Sequence, residues 1–163
     1  MLNAQLYSLA TFLLNPPMFE AIQTSTKTTV PTGTSWTPLN FADSAGILAD
    51  TYGGWSSSTP SRYTAQTPGW YWVSGGVCFT SNSTGNRGVR IAKNGSGYSG
   101  GGTIIGGAAA SQDTAIPTPV RKVYMNGTTD YVEIHGLQTS GSSLLTDITG
   151  DVCSNFTVFF AHL

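Results

Sequence analysis

An all-β fold, a sandwich or barrel of short antiparallel strands led by one helix, is what this chain of 163 residues predicts. Three observations carry that expectation. Eight to ten short apolar or alternating segments are separated by Gly, Pro, Asn and Ser turn signals. One of them, Thr67 to Phe79 (TPGWYWVSGGVCF), is apolar on both faces. Only the first fifteen residues repeat with a helical period.

The central segment starts after the turn dipeptide Pro68-Gly69. Trp70, Tyr71, Trp72 and Val73 are aromatic or β-branched, the types that suit a pleated, half-buried surface. Alternation puts Trp70 and Trp72 on one face and Tyr71 and Val73 on the other. Both faces then need cover: one a core, the other a second partner. Gly75-Gly76 marks a bulge or a close backbone approach.

At the N-terminus, Leu2, Leu6, Leu9 and Leu13 are spaced by four, three and four residues. That places them on one face, as in a heptad seam. Pro16-Pro17 ends the helix. At 1.5 Å per residue it is about 20 Å long, too short to span a bilayer. With no Lys or Arg before Leu6 and no Ala-x-Ala after Leu14, it reads as a helix rather than a secretory leader. Either it docks on its own domain, or it is an oligomerisation or docking helix offered to a larger assembly. Residues 1–17 therefore form one unit, and residues 18–163 the β domain.

The remaining elements follow in order. Met18 to Thr24 is a first strand, Trp36 to Phe41 and Ile47 to Trp55 two more. Val89 to Asn94 ends in the turn dipeptide Asn94-Gly95. Gly95 to Gln112, rich in Gly, Ser and Ala, is a long loop with room for one edge strand. Val120 to Asn126 and Asp130 to Leu137, joined by Asn126 to Thr129, read as a hairpin. In its second arm Val132 and Ile134 face inward; Tyr131, Glu133 and His135 face outward. Asn155 to Leu163 is a terminal strand, apolar at Phe156, Val158 and Phe160 and again at Phe159 and Ala161.

Composition narrows the function. Charged residues are 9% of the chain and the formal net charge is −1. That balance gives no footprint for nucleic acid or an anionic membrane. Arg87, Arg90 and Lys93 read as solvated strand-edge cations. The Glu133 and His135 pair reads as solvated surface, too few ligands for a metal. Gly97-Tyr98-Ser99-Gly100-Gly101 fits the nucleophile-elbow pattern, but no helix follows it, so a hydrolase is a minor rival. No cofactor is implied. Cys78 and Cys153 are either buried free thiols or a bridge; their sequence context leaves both open.

The order of several motifs resembles a known group. Gly69 to Phe79 resembles the Gly-Tyr/Trp-Tyr strand of the tumour-necrosis-factor-like and complement globular-head jelly rolls. Arg87 to Gly95 (RGVRIAKNG), Asp130 to Gly136 (DYVEIHG) and Asn155 to Phe160 (NFTVFF) resemble later strands of that superfamily, in the same order. Thr129 stands where the superfamily has Gly. Asn15-Pro16-Pro17, Met18 to Ala21 and Tyr52-Gly53-Gly54 extend the likeness to small virion proteins of tailed phages that infect actinobacteria. The resemblance implies a two-sheet antiparallel jelly roll with a short N-terminal helix, assembled as a homotrimer and without catalytic residues. It implies a virion protein assembled in the host cytoplasm, a minor tail, tail-tip or fibre-like knob. Leu2, Leu6, Leu9 and Leu13 would dock on other tail or capsid proteins. Trp70, Tyr71, Trp72, Phe156, Val158 and Phe160 would form the core or the trimer contact. Trp55 and Tyr98 would sit in loops facing the host, where a cell-wall glycan is one ligand. A capsid decoration protein or head fibre is the alternative, and a secreted cytokine-like ligand is a further one.

Overall fold

The computed structural model describes residues 2–108, 111–149, 151 and 153–163, without the side chains of Leu2, Ala4, Tyr7, Ser8 and Leu9. Helix α1 (Leu2–Leu14) comes first, and a single 3-10 turn (Ser44–Gly46) precedes β4. The strands are β1 (Met18–Ile22), β2 (Thr29–Val30), β3 (Thr37–Pro38), β4 (Ile47–Asp50), β5 (Arg62–Thr64), β6 (Pro68–Phe79) and β7 (Asn86–Lys93). After them come β8 (Ser96–Gly97), β9 (Thr103–Gly107), β10 (Thr114–Pro117), β11 (Arg121–Asn126), β12 (Tyr131–Gln138), β13 (Leu144–Leu145) and β14 (Asn155–His162).

Two six-stranded antiparallel sheets make the body. The first runs β10–β6–β14–β1–β4, with β11 also on β6, so that β10 and β11 share one side of that long strand. The second runs β3–β12–β7–β8, with β5 beside β3 on β12 and β9 beside β8 on β7. The last strand of the chain lies between the first and the sixth. Such long returns between antiparallel neighbours are the Greek-key connectivity of a jelly roll. The expected all-β, two-sheet antiparallel fold with one short helix is present.

The two sheets meet through their inward residues. Tyr71, Val73, Val77 and Phe79 of β6, Phe156, Val158 and Phe160 of β14, and Phe19 of β1 face Tyr63, Val89, Ile91, Val132 and Ile134. Phe19 stacks on Tyr63 at 5.2 Å and meets Phe156 edge-on at 5.2 Å. Each such side chain contributes roughly 1.5–3 kcal/mol of transfer free energy. Gly75 lies in this layer. A Cβ there would come within 2.6 Å of both the Asn155 carbonyl oxygen and Ile134 Cγ1. The β6–β14 register continues through it, Phe156 opposite Gly75 and Asn155 opposite Gly76. Gly75 is therefore a close approach between sheets, and the Gly75-Gly76 pair is not a bulge.

Several expectations change. The segments 121–126 and 131–138 do not pair with each other: β11 adds to β6 and β12 adds to β7, β3 and β5. The connection between them crosses from one sheet to the other. Asn126 shapes it: its Oδ1 accepts the amides of Thr128, Thr129 and Asp130, while Gly127 takes a φ of 77°. Thr129 needs no glycine, because the positive φ falls two residues earlier. Next, Arg87, Arg90 and Lys93 are not on a solvated edge, since β7 has neighbours on both sides. Arg87 is fully buried. Last, the Trp36 to Phe41 stretch pairs only at Thr37–Pro38, while Leu39 and Phe41 turn into the core. The Asn94-Gly95 turn forms as expected, with φ of 52° and 78°, and Gly95 to Gln112 holds two short strands rather than one.

Helix α1 meets the body through Phe12, which packs edge-on against Phe160 at 5.1 Å and Tyr52 at 6.2 Å. Leu6 and Leu13 of the expected seam are 55% and 69% exposed. Leu2 and Leu9, the other two, lie outside the described side chains.

Candidate interaction surface

Alternation along β6 settles which face is which. Tyr71 and Val73 are buried; Trp70 is half-buried and Trp72 exposed. The register of the neighbouring strands then builds an aromatic row on the outside of the first sheet. Lys122 of β11, Trp72, Phe159 of β14 and Met18 of β1 stand opposite one another in sequence across four strands. Beside it, Tyr124 faces Trp70, and a register shift between Phe160 and His162 brings His162 opposite Trp70 on the other side.

The row is bare. Trp72 is 47%, Tyr124 45% and Phe159 41% exposed. Trp70 and Tyr124 meet edge-on at 5.6 Å. Lys122 Nζ lies 5.0 Å over the Trp70 ring and 3.4 Å from His162 Nε2. The result is an aromatic centre with a basic group at one end. A solvated antiparallel sheet normally alternates to polar residues on its outer face. Rings of this size left in water across adjacent strands are the composition of a protein–protein contact. Ile104 and Ile105 of β9, 39% and 56% exposed, form a second, smaller apolar site on an edge of the other sheet.

Of the residues expected at the core or trimer contact, Tyr71, Phe156, Val158 and Phe160 are core, and Trp70 and Trp72 are on the outer face. Phe159 and Tyr124 join them there. The second apolar face of the terminal strand pointed to Phe159. Tyr124 was hidden, because its placement depends on β11 joining β6. Trp55 and Tyr98, expected in host-facing loops, both pack against the core. The Trp55 amide donates to Asp50, and the Tyr98 hydroxyl donates to the Lys122 carbonyl at 2.8 Å.

The Glu133 and His135 pair is not solvated. Their exposures are 6% and 3%, because Trp36 and the residues before β5 fold over them. Ser61 Oγ donates to Glu133 Oε1 at 2.9 Å. Arg90 donates to His135 Nδ1 at 3.1–3.3 Å, and its guanidinium lies 4.8 Å over the Trp36 ring. An arginine only donates, so Nδ1 is an acceptor and the ring proton sits on Nε2, which donates to Glu133 Oε2 at 2.9 Å. The order is Ser–Glu–His. The histidine does not touch Ser61 and so does not activate it, and the chain of bonds acts as a buried clamp.

Ser99 of the Gly-x-Ser-x-Gly stretch is exposed on a turn that leads to β9, not to a helix. Asp147 accepts from Thr149 Oγ1, the Ile148 amide and Lys27, which hold its carboxyl well below the usual range. Its hydrogen bond with Asp113 pushes the latter up. Among the described residues, no group of three or more His, Cys, Asp or Glu is placed to hold a metal ion. No helix among them is long and apolar enough to cross a membrane. No protein-family model and no curated protein matches this chain.

Proposed function

We propose that this chain is a non-enzymatic structural protein of a tailed-phage virion, a jelly-roll knob that assembles as a homotrimer on the tail or its tip. The observation that carries the assembly is the uncovered row of Trp72 and Phe159, flanked by Lys122 and Met18. The virion assignment rests on the ordered sequence motifs from Asn15-Pro16-Pro17 to Asn155-Phe160.

A threefold ring uses a heterologous contact: one patch of each subunit meets a different patch of the next. This chain offers two such patches. The aromatic face of the first sheet is one, and the Ile104–Ile105 edge of β9 is the other. Packing the edge of one copy on the face of the next covers both. The bare Leu6 and Leu13 of α1 then remain for another virion protein. Host-surface recognition falls to the loops of the knob, with a cell-wall glycan as the ligand class.

Light scattering tests the assembly. The account predicts three times the 17.1 kDa chain mass at micromolar concentration. A monodisperse monomer would count against it. Antibody labelling of whole particles tests the position: label on the tail supports the proposal, and label on tail-free heads transfers the protein to the capsid.

A further inference from the structure

We infer that Cys78 and Cys153 are a redox pair that closes into an intramolecular disulfide, clasping the segment before β14 to the long strand β6. This is independent of the virion assignment. Both cysteines are free thiols here. Two observations bring them together, a hydrogen bond and a shared face of the sheet. The β6–β14 ladder ends with Asn155 opposite Gly76, and beyond it Asp147 takes the place opposite Cys78, its amide donating to the Cys78 carbonyl at 2.8 Å. The Cys78 amide donates to Ser154 Oγ at 3.1 Å, which holds the residue next to Cys153 against Cys78.

Both side chains also lie on the same side of the sheet. Val77 and Phe79 point into the core, so Cys78 points outward, as Gly76 does. Cys153 lines a cavity of about 250 Å³ with Gly76, Ala115, Ile116 and Pro117, and Ala115 is the residue opposite Cys78 on β10. Cys78 is fully buried, while Cys153 is partly open to solvent. Burial, with Asp147, Asp113 and Cys153 adding to it, pushes the Cys78 thiol up to about 11, and burial raises Cys153 as well. Thiols so raised carry little thiolate at neutral pH, so exchange with an oxidant is slow.

Accessibility fixes the order of steps. The Cys153 thiolate attacks a small-molecule disulfide such as oxidised glutathione, forming a mixed disulfide and releasing one glutathione thiolate. The Cys78 thiolate then attacks the Cys153 sulfur and releases the second. Two protein thiols are oxidised and one glutathione disulfide is reduced to two thiols, so electrons and protons balance. The bridge closes a long loop, from the sixth strand almost to the last, which is where a crosslink constrains the unfolded chain most.

The test uses the full chain incubated with oxidised glutathione, followed by intact mass, alkylation after denaturation, and thermal melting. The expected product has lost two hydrogens, resists alkylation at both cysteines, runs as one chain on a non-reducing gel, and melts roughly 5–10 °C higher. Dithiothreitol reverses every change. Cys153→Ser should melt like the reduced parent and gain nothing from oxidation. Cys78→Ala should stop at a stable glutathione adduct on Cys153. Two alkylatable cysteines after treatment, a permanent adduct in the parent chain, or disulfide-linked dimers would each overturn the inference.

Discussion

Tyr71 and Trp72 are neighbours in sequence with opposite fates. Tyr71 is fully buried, its ring 5.3 Å from Phe160 and its hydroxyl donating to the Thr67 carbonyl at 2.7 Å. A carboxylate there has no partner, so Tyr71→Asp should cost about 4 kcal/mol or more and unfold the domain, visible as lost near-ultraviolet circular dichroism. Trp72→Glu puts its charge in water and should leave the monomer's melting temperature nearly unchanged. Arg87 makes a different case. Its guanidinium is fully buried without a carboxylate, donating instead to the carbonyls of Asn82, Thr84 and Asn86 and lying 5.7 Å over Phe79. Those carbonyls close the loop from β6 to β7, the crossing between sheets. Arg87→Ala removes three charge-assisted bonds and leaves a void, so chemical denaturation should show a loss of about 3 kcal/mol.

At the scale of elements, α1 and the sheet crossings decide what the sequence reveals. The helix was legible because a leucine period of four and three, closed by two prolines, outweighs the features a secretory leader would need. Its placement was not legible: that rests on Phe12, which lies off the leucine seam and meets Phe160 from the far end of the chain. Deleting residues 1–15 should cost about 1–2 kcal/mol, the value of one half-buried aromatic contact, and leave the jelly roll folded by circular dichroism. The strands β1, β6, β7, β12 and β14 were legible from alternation and turn residues. Their partners were not. Asn126-Gly127 marks a tight turn whether the chain folds back on itself or crosses to the other sheet, and the pairing of β11 with β6 is a long-range choice that local pattern does not encode. The same limit applied to Glu133 and His135. Alternation assigned them correctly to the outer face, but the cover from Trp36 and Ser61 comes from distant segments.

The whole molecule carries its charge sparsely, and a few carboxylates tie its loops. Hydrogen bonds from Ser25 and Thr26 hold Asp43 well below the carboxylate range. Asn94, with Lys93 and the Asn126 amide, lowers Asp130, and Thr149 with its neighbours lowers Asp147. In each the folded state binds fewer protons than the unfolded one. The stability they contribute is therefore present above the ordinary aspartate value of about 4 and is lost as pH falls below it. Asp113, raised through Asp147, opposes them in part. Melting temperature should be level from pH 5 to 8 and fall steeply below pH 4. Asp43→Ala should narrow that gap by lowering the neutral-pH value alone.

Assembly through the outer aromatic face is the claim on which the molecule's proposed role depends. Its most direct test is the mass of the parent chain and of Trp72→Glu by light scattering, at equal micromolar concentration. The account predicts a trimer for the parent and a folded monomer for the variant, with unchanged circular dichroism. A parent that is already monomeric, or a variant that remains trimeric, would contradict it.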